Sequence, residues 1–173
     1  MKLITPLLLG LLIGIAGCAS VKHTMTPNAY ILDFGSDKIV VQQTVQVSSE
    51  ELIATHGLGF TWSTNHQDKI TISPAIFEFF RYVEDGITEV SFEADGEEIR
   101  CTFTQDDSTG NLPVFRVTMK QFQTIANAKK VKMRVVHLGK QTESAFGTEV
   151  PESIVNKKFP EFFATIQEVK DGG

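Results

Sequence analysis

"EVSFEADGEEIRCTFT", residues 89–104, decides the fold class. Two runs of alternating polar and apolar residues flank Asp95-Gly96. A tight hairpin turn needs positive φ at both central residues, and Asp-Gly supplies that at little steric cost. The segment therefore predicts an antiparallel pair over 89–94 and 97–104, with Ile99, Cys101 and Phe103 sharing the inner face. The bland reading of Cys101 is a buried strand residue.

The same grammar extends in both directions. Downstream, "TQDDSTGNLP" (104–113) reads as a loop and Val114–Val117 as a strand. Thr118 with Gln121 forms a capping box that opens a helix with Met119, Phe122, Ile125 and Ala126 on one face. A second hairpin over 129–146 turns at Gly139-Lys140, with Val131, Met133 and Val135 inward. Pro151 and Pro160 punctuate the remainder, and Phe159, Phe162, Phe163, Ile166 and Val169 stripe a final amphipathic helix. Upstream, 39–47 alternates as a half-buried strand. Ser48 and Glu51 match another capping box, predicting a short helix closed by Gly57 with His56 in its last turn. Leu58, Phe60 and Trp62, then Lys69–Ser73, are strands around the polar turn "TNHQD" (64–68). "SPAIFEFFRYVEDG" (73–86) favours a helix by its N-terminal Ser-Pro and the spacing of Ile76, Phe77, Phe80 and Val83. The expected fold is α+β, predominantly antiparallel strands with several short helices and a C-terminal amphipathic helix, in one domain over 30–173.

Residues 1–20, "MKLITPLLLGLLIGIAGCAS", follow a different logic. Lys2 precedes an apolar run of about 13 residues, the length of a signal-peptide core and short of the ~20 needed for a membrane-spanning helix. The run ends at Ile15-Ala16-Gly17-Cys18. This resembles the lipobox of bacterial lipoproteins, in which Ile15, Ala16 and Gly17 would be the signal-peptidase recognition residues and Cys18 the lipid attachment site. The resemblance implies removal of 1–17 and acylation at Cys18, with a thioether to diacylglycerol on its sulfur; two or more chains make such an anchor stable. Ala19 and Ser20 in place of Asp after the cysteine imply sorting to the outer membrane, with the domain facing the periplasm. Residues 18–29 would be the lipidated cysteine and a flexible tether, whose reach is about 17 Å on average. Residues 76–166, and "FRVTMKQFQTIANAKKVKMRV" (115–135) most of all, resemble small envelope lipoproteins of uncharacterised function, which implies no activity.

Cleavage before Cys18 takes 17 of the 173 residues and one lysine, leaving 156 residues with 15 basic against 21 acidic side chains and all 13 phenylalanines. A mildly acidic domain has no electrostatic footprint for nucleic acid. With Cys18 acylated, Cys101 has no disulfide partner in the chain. The four histidines, His23, His56, His66 and His137, stand at no metal-ligand spacing, and "QDDSTG" (105–110) lacks the alternating ligands of a calcium loop. No GxSxG, SxxK or glycine-rich phosphate loop occurs, so no catalytic residue, metal or cofactor is assigned. Lys130, Lys132 and Arg134 alternate on one strand face as candidate contacts for an anionic surface; lysines there would also discourage unwanted strand pairing.

The expected function is a lipid-anchored, non-enzymatic interaction or assembly module that contacts the membrane through the lipid on Cys18 and binds another envelope protein. The alternatives are a carrier of an apolar or anionic ligand, with an apolar cavity lined by some of Phe77, Phe80, Phe159 and Phe163, and an envelope hydrolase in which Ser or Cys meets His and a carboxylate. Cys18→Ser should leave an unprocessed precursor without lipid, read by intact mass and by failure to incorporate labelled palmitate. Normal processing of that variant would refute the lipobox.

Overall fold

The Asp95-Gly96 signal is realised as a hairpin of β6 (Ile87–Ala94) and β7 (Glu97–Arg100), with φ of +48° and +90° at the two turn residues. The computed structural model describes residues 28–47, 56–78, 81–105, 113–150 and 153–172. The strand expected over 97–104 breaks at Cys101, whose N–H still donates to the Val90 carbonyl at 3.1 Å. One residue later the chain enters a different sheet as β8 (Thr102–Gln105), paired with β9 (Pro113–Thr118). Phe103 therefore leaves the face of Ile99: Ile99 is buried, whereas Phe103 is 51% exposed and rests its ring on Phe115.

The larger sheet is antiparallel throughout. Its order is β1 (Tyr30–Asp33), β2 (Lys38–Gln46), β3 (His56–Ser63), β4 (Lys69–Glu78), β9 and β8, with β5 (Arg81–Val83) also on β4. The smaller sheet runs β11 (Lys140–Phe146), β10 (Val131–His137), β6 and β7. The β10–β11 turn lies at Leu138-Gly139, one residue before the expected position, because these two residues adopt φ of +48° and +75°. An α+β fold with predominantly antiparallel strands and a C-terminal helix is what forms.

Two local expectations fail. Residues 73–86 do not make a helix: 69–78 is a strand between β3 and β9, followed by β5. Ile70, Ile72, Pro74 and Ile76 are buried, so period-two burial against both neighbours overrides the helical spacing of the aromatics. Pro74 fits because the β9 ladder ends at Ile72 and the β5 ladder begins at Ile76, leaving a gap where that side of β4 needs no donor. The helix expected from Ser48 lies mostly outside the described residues. Its last residues, His56 and Gly57, open β3 instead, where Gly57 pairs with Gln46 and Ala75. The register of β2 against β3 shifts between Gln42 and Val45, and Gly59 faces this bulge. A Cβ there would lie 3.0 Å from the Gln42 carbonyl oxygen.

Helix α1 (Met119–Asn127) begins at the expected capping box, with the Gln121 N–H donating to Thr118 Oγ1 at 3.1 Å and the Thr118 N–H to Gln121 Oε1 at 2.9 Å. Helix α2 (Phe159–Asp171) carries Pro160 in its first turn, where a missing N–H costs no bond. Both helices bury their apolar faces in one core. Phe60 of β3 stacks on Phe159 at 5.1 Å between centroids and meets Phe122 and Phe162 edge-on, while Phe146 of β11 contacts Phe159 and Phe92.

The start of the domain is tied to α2. Buried Lys158 donates to Asn28 Oδ1 and Glu161 Oε2, both at 3.1 Å, and the Ala29 N–H donates to Glu161 Oε1 at 3.2 Å. Phe60→Ala would remove the ring shared by three aromatic partners and should cost about 3–5 kcal/mol. In urea, the midpoint should fall with the m-value unchanged; a loss under 1 kcal/mol would show that the cluster closes over the gap.

Candidate functional site

Cys18 and the recognition residues Ile15, Ala16 and Gly17 lie outside the described residues. Lys130, Lys132 and Arg134 lie on β10 or just before it. Lys132 and Arg134 share the outer face of the smaller sheet with Glu89, Glu93, Glu98 and Glu143 from β6, β7 and β11. That face is a charge lattice. Arg134 sits opposite Glu143 and diagonally from Glu93, bonding them at 2.9 and 2.6 Å. These hydrogen bonds, Glu143 first, raise the Arg134 pKa above its ordinary value and hold Glu143 below the usual carboxylate range. Arg134 is thus committed to two carboxylates, while Lys130 and Lys132 stand beside a recess at the end of the sheet.

The inner face of β11 is unusual. In register with Val135, Met133 and Val131, it sets Thr142, Ser144 and Phe146 on one face, Phe146 buried, Ser144 half-buried and Thr142 exposed at the sheet's edge. His56 of β3 answers them: Nε2 bonds Thr142 Oγ1 at 2.8 Å and Nδ1 bonds Ser144 Oγ. The ring is 1% exposed and joins the two sheets. In a neutral imidazole one nitrogen donates and the other accepts, and two hydroxyls suit either tautomer. Sequence reasoning missed this cluster. Its only sign was the Thr-x-Ser pair on a face that Phe146 marks as inward, which demands a buried polar partner.

A nucleophile paired with a base is what a hydrolase would use, and Ser144 and His56 are such a pair. The other imidazole nitrogen meets Thr142 Oγ1, and the two bonds join β3 to β11 as a hydrogen-bonded clip between the sheets. Burial raises the Cys101 pKa to about 12, which disfavours its thiolate. Among the described residues, no three of His, Cys, Asp or Glu are grouped to hold a metal.

Apolar surface is exposed at one edge. Every residue of β1 is exposed, Tyr30, Ile31 and Leu32 among them, and Phe34 in the following turn is 65% exposed. The turn is held rigidly. The Phe34 N–H donates to the Asp37 carbonyl at 2.9 Å, and the Asp37 carboxylate accepts from the hydroxyls of Ser63 at 2.7 Å and Thr64 at 2.9 Å. The phenylalanines expected around a carrier's cavity differ from this. Phe159 is buried and packed ring to ring, so its surroundings are filled by side chains, and Phe80 lies outside the described residues.

Ser144→Ala should lower the unfolding free energy by about 1 kcal/mol through the lost bond to His56, and the native protein should take up no fluorophosphonate label. Labelling at Ser144 would make the pair a nucleophile and its base.

The sequence matches no known family model, and no curated protein resembles it at a significant level.

Proposed function

We propose that this chain is a lipid-anchored, non-enzymatic interaction module of a bacterial cell envelope, held in the outer membrane through Cys18 with its domain in the periplasm, and that it docks another envelope protein along β1. The observation that carries this reading is the β1 edge. β1 ends the larger sheet, so among the described residues one side of its backbone has no neighbouring strand. Natural sheets normally blunt such edges with charges, prolines or bulges. Here the edge carries Tyr30, Ile31 and Leu32, with Asp33 the single charge of the strand, and the register with β2 runs without a shift. An extended segment of a partner can add to such an edge through main-chain bonds, with the exposed side chains giving selectivity.

The ties from Asn28 and Ala29 to Lys158 and Glu161 support the same reading, because they fix where the tether meets the domain. Nine residues lie between Cys18 and Asn28, so an anchored chain would hold β1 close to the bilayer, within reach of a membrane-bound partner.

Crosslinking in intact cells tests the proposal, with the native lipoprotein compared to a form released into the periplasm behind a different signal peptide. One stoichiometric partner is expected on the anchored form, lost with Ile31→Lys plus Leu32→Lys while the far-UV circular dichroism is unchanged. A partner retained by that variant would move the interface off β1, and no partner in either form would overturn the interaction role.

A further inference from the structure

β1 ends the larger sheet, and which of its backbone groups face outward follows from the turn beside it. In an antiparallel ladder, pairs that exchange backbone bonds alternate with pairs whose N–H and C=O groups point away from each other. The Phe34 N–H donates to the Asp37 carbonyl across the turn, and the Lys38 N–H turns away from β1 to Thr64 Oγ1 at 3.0 Å, so Asp33 and Lys38 form a pair of the second kind. By the same alternation Ile31, opposite Val40, also points its backbone outward. Ala29 does so too, but its N–H is already taken by Glu161 of α2 at 3.2 Å, which closes the edge on that side. Among the described residues, the outward N–H groups of Ile31 and Asp33 are left without a bond.

The side chains alternate with the backbone. Ile31 lies on the face of buried Val40, whereas Tyr30 and Leu32 stand opposite Val41 and Ile39 on the outer face, and Phe34 continues their row. All three are exposed, Phe34 most. The only charge of the strand is Asp33, whose carboxylate already accepts the Gly35 N–H at 2.8 Å.

We infer that a second copy of this chain fills this edge, the two β1 strands pairing antiparallel about a two-fold axis at Leu32. Two-fold registers that join open outward groups centre on Ile31, Leu32 or Asp33. Centring on Ile31 would bring Asp33 against the other copy's Ala29, where Glu161 already sits, and centring on Asp33 would oppose two carboxylates. Centring on Leu32 sets each Ile31 against the other copy's Asp33, each pair exchanging both backbone bonds. It also sets Leu32 beside Leu32 and each Tyr30 beside the other copy's Phe34, so the whole exposed apolar row gains partners. Gly35, which has no side chain, falls opposite the Ala29 that Glu161 covers. The inference rests on β1 as a docking edge and adds its regulation: self-pairing covers the strand, and a partner's extended segment must displace one copy to bind.

The test uses the mature chain carrying Cys18→Ser, exported behind a cleavable signal and purified, so that no other protein is present. Sedimentation equilibrium should show a monomer–dimer equilibrium. Leu32→Lys puts like charges side by side on the axis and should weaken it about tenfold or more, with the far-UV circular dichroism unchanged. Disulfides read the register. Leu32 meets its counterpart in a non-hydrogen-bonded pair, where Cα atoms lie about 4.5 Å apart, within reach of a disulfide. Leu32→Cys should therefore link two chains under mild oxidation, and Tyr30→Cys should link to Phe34→Cys but not to itself; peptide masses separate these bridges from any through Cys101. A monomer at every concentration would overturn self-pairing while leaving the docking reading, which the crosslinking in cells decides. A dimer indifferent to Leu32→Lys, or Tyr30→Cys linking to itself as readily as Leu32→Cys, would overturn it by placing the interface elsewhere or in another register.

Discussion

The contact of Phe60 with Phe122, Phe159 and Phe162 is the constraint on which the remaining architecture depends. One ring from the larger sheet is shared by both helices, and Phe159 carries the contact on to Phe146 of the smaller sheet. Aromatic side chains bury large areas at low entropic cost, and edge-to-face pairs add to that burial. Four elements far apart in the chain thus acquire one common centre. Because α2 is held by this cluster, its first turn is in place to receive Asn28 and Ala29, which sets the start of β1.

Polar order is layered around that centre. The His56 clip with Thr142 and Ser144 binds the larger sheet to β11 where aromatic packing gives way to hydroxyls. On the outer face of the smaller sheet, Arg134 draws Glu93 and Glu143 together across three strands. Exposed ion pairs of this kind contribute little stability. Their consequence is spatial: they draw side chains of three strands into one lattice on the outer face of the smaller sheet.

The surface so produced has two unlike features. The β1 edge offers unpaired backbone and apolar side chains just after Asn28 and Ala29, as an extended partner requires. The recess at the end of the smaller sheet offers a hollow whose rim sets Glu93 and Asp95 against Lys130 and Lys132.

Local signals alone determined the hairpin at Asp95-Gly96, the Thr118–Gln121 cap and the stripe of α2, because each depends on turn geometry, end-group hydrogen bonds or periodicity within a dozen residues. The alternation over β3, β9 and β10, and hence the α+β class, was legible for the same reason. Three features were decided only in three dimensions. Residues 73–86 carry helical spacing, but β3, β9 and β5 supply hydrogen bonds and burial on both sides of 69–78, and a strand results. The strand over 97–104 divides at Cys101 because its two halves pair with different partners, which alternation cannot distinguish. The cations of β10 read as a basic stripe, yet the acids that answer Arg134 come from strands about ten residues later and forty residues earlier. Register, a property of paired strands rather than of either one, brought them together.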